Sequence, residues 1–381
     1  MMSYKETLFF IAKCLTISQE KKHLVEVIKE LKFRTIDWKK VVHVSSNHYV
    51  LPTLYWKLKQ HHLLTFIPSD LAEYMNTLSN LNRDRNQQII LQAEEINTLL
   101  LKNNITPIFL KGTAFILEDL YQDIAERMIG DIDFLVSKSD YQKTIFLLKK
   151  DGYHLLFPNK MSLDCSKHYP RLVKQGRLNA VEIHRELTLK KYKPFFQYNT
   201  VSRNTIISKN CRLLSFQDQL AHTIINNQIN DKNYYYKNIP LRNAYDLFLL
   251  SHKTNTLKCL YNYPKLFKYL NSFLSTTSLV FNKPTSIVFI KNKQCSSYEA
   301  IVKKKLEHPA YCIIHSSCID LFIYVKSNTL ILIKALYQKR YFLFVIDKIV
   351  DPSWYKRRFK GIKKSLDKLF KLFKIQSTII S

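Results

Sequence analysis

The sequence predicts an α+β protein: a mixed α/β core flanked by helical segments, with a mixed region towards the C-terminus. Apolar residues at helical spacing dominate the chain before and after a central region. That central region, 96–205, reads as short apolar strands alternating with helices. The glycines concentrate there too. The chain has five Gly in 381 residues, where average usage near 7% would give about 27. Three of the five are Gly112, Gly130 and Gly152. A chain that avoids glycine so strongly is expected to use it where backbone approaches something closely or takes a positive φ.

The elements follow in order. Residues 1–95 read as helical, with amphipathic stretches over Leu24–Leu31 and Leu51–Leu64. Asp84–Asn104 is a helix by the spacing of Ile89, Ile90, Ala93, Ile96, Leu99 and Leu100. Thr106–Leu110 is a short apolar strand bounded by a proline, entering a turn at Lys111-Gly112-Thr113, with a helix over Ala114–Tyr121. A second strand covers Asp131–Val136, a helix Asp140–Lys150, and a third strand Tyr153–Phe157. Gln175-Gly176-Arg177 reads as the turn of a hairpin between Arg171–Lys174 and Leu178–His184. Residues 206–275 read as helical again, with helices over Phe216–Ile229 and Arg242–His252. In 276–350, the runs Ser286–Ile290, Tyr311–His315, Asp320–Lys326 and Thr329–Lys334 read as strands, and no chemistry is evident there. The tail, 351–381, reads as a basic amphipathic helix with Phe359, Ile362, Leu366, Leu369 and Phe373 on one face.

The chemistry concentrates in Arg127-Met-Ile-Gly130-Asp131-Ile-Asp133-Phe-Leu-Val136. Side chains alternate along a strand, so Asp131 and Asp133 share one face and Ile132 and Phe134 the other. Two ionised carboxylates about 4 Å apart repel by roughly 4 kcal/mol at an effective dielectric near 20. A cation between them relieves this. Mg²⁺ suits the place because it takes one or two carboxylates and keeps other positions for water and phosphate. Asp-x-Asp also occurs as a solvated strand edge, so the pair alone does not decide. A strand, a glycine turn and a helix start make an anion site, where Lys111 and the Thr113 hydroxyl reach phosphate oxygens. The spacing is not that of a Walker motif. Glu182 is the candidate third acid, opposite in face to Val181 and Ile183, and His184 shares its face. Each also reads as an ordinary residue of a half-buried hairpin.

These residues resemble the DNA polymerase β-like nucleotidyltransferase superfamily: a glycine turn after a first strand, Asp-x-Asp on a second, and a third acid on a later one. More narrowly, Leu110-Lys111-Gly112, Arg127–Val136 and Glu182-Ile183-His184 resemble the bacterial family called uncharacterised nucleotidyltransferase. Looser likeness extends from Trp38 and Val50–Tyr55 to Leu241–Leu247, so it covers about residues 30 to 250. The superfamily's usual Gly-Ser turn is here Gly112-Thr113, and the third acid is Glu rather than the commoner Asp. The resemblance implies a polymerase-β-like core and transfer of a nucleoside monophosphate from an NTP to an acceptor hydroxyl, with pyrophosphate leaving. It implies Asp131, Asp133 and Glu182 as catalytic metal ligands for one or two Mg²⁺ ions. Lys111, Gly112, Thr113, Arg127, Gly130 and His184 are then expected around the nucleotide, with Arg127 either on phosphate or in a plain salt bridge. The acceptor is open: a small molecule, a sugar, a protein or an RNA. An RNA-binding or tRNA-modifying protein, or an inactive interaction protein on the same fold, are the alternatives.

The formal charge of +29 favours an anionic partner, although a Lys-, Asn- and Ile-rich composition also follows from an AT-rich genome. The tail holds nine Lys or Arg against one Asp over 352–381. It fits RNA phosphates, an anionic membrane surface, or packing on its own protein. Seven cysteines include no Cys-x-x-Cys, and no His-Glu-x-x-His or Gly-x-Ser-x-Gly occurs. Scattered odd cysteines fit reduced thiols in a cytoplasm. No window approaches 18 uncharged apolar residues, so no membrane span is expected. The apolar run Thr7–Ala12 is too short for a secretory signal.

Overall fold

A computed structural model describes residues 2–157 and 167–351. The expected basic tail over 352–381 lies outside the described residues. The chain divides into two compact units. The first comprises Met1–Lys160, Lys167–Tyr234 and Asn238–Glu299; the second comprises Met161–Ser166, Tyr235–Lys237 and Ala300–Ser381.

The first unit opens with five helices: α1 (Tyr4–Thr16), α2 (Lys21–Phe33), α3 (Trp38–Asn47), α4 (Leu51–Gln60) and α5 (Ser69–Leu101). The mixed region follows: β1 (Ile108–Leu110), α6 (Lys111–Leu117), β2 (Asp131–Leu135), α7 (Tyr141–Lys150), β3 (His154–Leu155), β4 (Leu172–Val173), β5 (Ala180–His184), α8 (Tyr198–Val201), β6 (Thr205–Ser208) and β7 (Cys211–Leu214). Next come α9 (Phe216–Ile225), α10 (Asn233–Tyr236), α11 (Leu241–Ser251), α12 (Thr256–Asn262), α13 (Phe267–Val280) and α14 (Lys293–Glu307). The second unit holds the ends of α10 and α14, then α15 (Pro309–Ala335) and α16 (Lys339–Val350).

The fold is α+β. One seven-stranded mixed sheet runs β3-β4-β5-β2-β1-β7-β6. The central pair β2–β5 is parallel, and β1 lies antiparallel to β2. On one face Ile132, Phe134, Val181 and Ile183 are fully buried, which fixes the register, because a one-residue slip would turn these apolar groups out of the core.

Helix α5 organises what lies above the sheet. Its buried residues Met75, Ser79, Asn82, Asn86, Ile89, Ala93, Ile96 and Leu100 recur every three or four positions, one stripe along 33 residues. The helix expected from Asp84 onward starts at Ser69, and the upstream part of its stripe is polar. The structure shows why. Asn82 donates to the Ala125 and Arg127 carbonyls at 2.7 and 3.2 Å, and Asn86 to the Arg127 carbonyl at 2.8 Å. Gln92 donates to the Asn179 carbonyl at 3.0 Å. These amides satisfy the backbone of the loop entering β2 and of the residue preceding β5, which buried backbone requires.

Three local differences have physical causes. The helix expected over Ala114–Tyr121 starts three residues earlier, with Lys111 itself at φ +55°. The hairpin β6–β7 falls where helix was expected from 206 onward. Its two-residue loop, Lys209-Asn210, has φ +49° and +59°, the backbone of a type I′ turn. The runs Tyr311–His315, Asp320–Lys326 and Thr329–Lys334, read as strands, are all one helix, and Ser286–Ile290 is irregular. Ile, Tyr and Val favour strands only where a pleated half-buried surface receives them. From Pro309 at the first turn to Ala335 no Gly or further Pro ends the helix. That helix is also long and apolar enough, by length and composition, to cross a membrane. Asp320 and Lys326 interrupt its apolar run, so the helix has no uncharged stretch of spanning length.

The N-terminal helices carry a pH-dependent element. His23 is fully buried, lies 2.7 Å from the Thr16 hydroxyl through Nδ1, and leaves Nε2 without a partner among the described residues. Burial, reinforced by Lys22, pushes its pKa down to about 4 from the ordinary 6.5. Between those values the unfolded chain binds a proton that the folded chain refuses, so stability falls as pH falls through this window. Chemical denaturation at pH 7 and pH 5 is expected to show a loss on the order of 1–2 kcal/mol from this group. His23→Leu is expected to flatten that pH dependence; an unchanged slope would remove His23 as its source.

Candidate functional site

The acidic face of the sheet opens into a cleft of about 450 Å³ in the first unit. Strand register builds its floor. Asp133 on β2 stands directly opposite Glu182 on β5, and Leu135 opposite His184. Leu110, the last residue of β1, pairs with Asp133, so the next residue, Lys111, emerges beside that carboxylate. Asp131, Asp133 and Glu182 all line the cleft, with Lys111, Gly112, Arg127 and Gly130.

Asp133 is the centre of the cluster. Lys111 Nζ donates to its Oδ1 at 2.6 Å, and His184 Nε2 lies 2.8 Å from the same oxygen. Lys111 also stands 3.9 Å and His184 3.6 Å from Glu182 Oε2. Burial would raise the Asp133 carboxyl, but Lys111 and His184 outweigh it and hold the pKa below the usual range. Glu182 behaves alike: burial opposes ionisation, while His184, Lys111, His168 and Arg171 keep it well below the usual range. Both acids are therefore carboxylates at neutral pH.

Asp131 is the more exposed acid. Arg171 bridges it to Glu182, with Nη2 2.8 Å from Asp131 Oδ2 and Nε 2.9 Å from Glu182 Oε1. Burial raises the Asp131 pKa, against the pull of Arg171. Asp133, Glu182 and His184 offer ligand atoms within 4.8 Å of one another. Carboxylate oxygens are the donors that hard divalent cations such as Mg²⁺ and Mn²⁺ take. The donor set thus fits a divalent cation, and the Lys111 ammonium already neutralises part of its charge.

The remaining expected residues divide. Gly112 packs so closely that a Cβ there would lie 3.1 Å from the Ile129 side chain. Gly130 faces open space and has no positive φ, so neither constraint accounts for it. Thr113 is buried and donates to the Asp131 carbonyl at 3.4 Å; it pins β2 and is not among the residues lining the cleft. Arg127 lines the cleft, but its guanidinium is committed to a buried fork. Nε and Nη2 donate to the two Asp246 oxygens at 2.8 Å each, and Tyr121 donates to the same carboxylate. This is the salt bridge of the two expected roles.

Sequence reading did not single out the cations and polar groups that complete the cleft. Lys167, His168, Arg171 and Arg242 line it, with Asn226, Asn230 and Asp231. Lys167 Nζ donates to Asn226 Oδ1 at 3.2 Å, and burial with Lys111 nearby pushes its pKa down to about 8. Asn226–Asn230 form a π-helical turn after α9, an irregularity that helices show mostly at functional sites. The polar run Asn226-Asn227-Gln228 within an otherwise apolar helix was its available signal.

The cleft therefore combines three carboxylates on one sheet face with a rim of Lys111, Lys167, Arg171 and Arg242. That is the chemistry of a site for a polyanion and a divalent cation together. The family model described as "Uncharacterised nucleotidyltransferase" matches residues 34–262. No curated protein and no solved structure matches the chain.

Proposed function

The chain belongs to the uncharacterised nucleotidyltransferase family, and on that premise we propose that it transfers a nucleoside monophosphate from an NTP to an acceptor hydroxyl, releasing pyrophosphate. The observation that carries this reading is the register that sets Asp133 opposite Glu182, with Asp131 on the same face and Lys111 beside them.

Asp131, Asp133 and Glu182 would hold the divalent cation. Bound there, Mg²⁺ would lower the pKa of the acceptor hydroxyl and neutralise charge developing on the α-phosphate. The chain's own groups do the rest. Lys111, Lys167, Arg171 and Arg242 present positive charge to the triphosphate in a partly enclosed cleft, where such contacts are stronger than in water. Arg171 holds Asp131 and Glu182 in fixed relation, and His184 orients Asp133. The α5 amides hold the loop that carries Ile129 and Gly130 into β2. Preorganised groups of this kind need no rearrangement at the moment of reaction.

Mn²⁺ binding read by electron paramagnetic resonance tests the metal part. Wild type is expected to bind Mn²⁺ more tightly with a non-hydrolysable NTP analogue than without it. Lys111→Met removes a counter-charge from Asp133 and Glu182 and is expected to bind Mn²⁺ about ten-fold more tightly without nucleotide, while its affinity for the analogue falls. Mn²⁺ binding unaffected by Asp133→Asn would remove the carboxylates from the metal site.

A further inference from the structure

The second unit presents an apolar surface that nothing among the described residues covers. Along α15 and its C-cap, Ile314, Leu321, Val325, Leu332 and Leu336 recur at intervals of seven, four, seven and four, which is a single stripe on a helix. They are between 41% (Ile314) and 87% (Leu336) exposed. After a three-residue turn, α16 packs back on α15 and carries its own exposed stripe, Phe342, Ile346 and Ile349. Within the described part of α15 only Ser317 is buried. Scattered exposed apolar residues need no explanation, but exposed apolar stripes on two helices packed together mark an interaction site.

The charge around this surface selects the occupant. Ala300–Ser381 contains 17 Lys or Arg against 5 Asp or Glu. Lys326, Lys334, Lys339 and Arg340 belong to the hairpin itself, and nine more basic residues follow in 352–381. Nucleic acid would satisfy the charge and leave the aliphatic stripes in water. A second copy would cover the stripes and bring together two chains of the same large positive charge. Only a phase with anionic headgroups above acyl chains matches both features.

We infer that the α15–α16 hairpin docks this protein on an anionic phospholipid bilayer, lying along the surface with both apolar stripes in the acyl boundary and the basic residues among the headgroups. Helix dimensions favour lying over spanning. The 27 residues of α15 reach about 40 Å, enough to cross, but the 12 residues of α16 reach about 18 Å, too short to return through a hydrocarbon core of about 30 Å. Polar groups also run beside the α15 stripe: Asp320 accepts from the Tyr236 hydroxyl at 2.6 Å, and Lys326 and Lys334 follow.

Flotation of the full-length protein with lipid vesicles tests this directly and does not depend on the reading of the cleft. Wild type is expected to float with vesicles of phosphatidylcholine and phosphatidylglycerol, at least about ten-fold better than with phosphatidylcholine alone. High salt is expected to weaken binding. Leu332→Glu and Ile346→Glu, both at exposed positions and so neutral for folding, are each expected to reduce binding about ten-fold or more. Wild type remaining with the soluble fraction in both vesicle types would overturn the inference. So would equal flotation of the Glu variants, which would leave charge alone as the cause. Binding to RNA that is blocked by the same Glu substitutions would also overturn it.

Discussion

Asp133→Asn is expected to lower nucleotidyl transfer by about 10³-fold or more, with the fold retained. The substitution keeps side-chain shape and removes one charge. Asp133 touches both Lys111 and His184 and stands opposite Glu182, so its charge holds the Lys111 ammonium and the His184 ring in place. Removing one group that stabilises developing charge typically costs 10²–10³-fold in rate, and loss of a metal ligand adds to that. Lys111 keeps Glu182 as a neighbour at 3.9 Å, so no cation is left wholly uncompensated. Initial rates under saturating NTP, with a thermal melt of the same preparation, check both halves. A folded variant with near wild-type rate would remove Asp133 from the chemistry.

The largest stability effect is expected at the buried fork below the site. Asp246→Ala leaves the Arg127 guanidinium charged and buried, with its two 2.8 Å partners gone. Breaking such a pair by removing one partner costs about 3–5 kcal/mol. Replacing both groups, Arg127→Met with Asp246→Leu, is expected to recover most of that loss, because no orphaned charge remains. Denaturant unfolding of the single and double variants makes the comparison. Equal destabilisation would mean that shape, and not the unpaired charge, dominates there. The double variant is still expected to be slower in catalysis, since Arg127 anchors the loop that delivers Gly130 and Asp131 to the cleft.

Alternation along two strands made most of the acidic face legible in the sequence. Asp131 and Asp133 share a face because side chains alternate, and Glu182 and His184 follow the same rule against buried Val181 and Ile183. What alternation cannot reveal is which strands are neighbours, and it is the β2–β5 pairing that brings Asp133 to Glu182. The cationic rim was illegible for the same reason. Lys167 and Arg171 precede β4, and Arg242 sits in the first turn of α11. Only tertiary packing gathers them. Arg127 shows the opposite limit: its place in the motif suggested phosphate, but Asp246, more than a hundred residues away, claims it. In the C-terminal region, strand-favouring residues masked a helix because their preference depends on a sheet that is not there.

Nucleotidyl transfer is defined by attack on the α-phosphorus, and paired labelling reads this directly. Wild type would be incubated with α-³²P and, separately, γ-³²P nucleoside triphosphates, a divalent cation and a cell extract as the source of acceptor. Asp133→Asn would serve as control. The α-label is expected to move to a protein, RNA or small-molecule acceptor and the γ-label to leave as pyrophosphate, both depending on Asp133. Transfer of γ-label to the acceptor, or α-label transfer that survives in Asp133→Asn, would contradict that expectation.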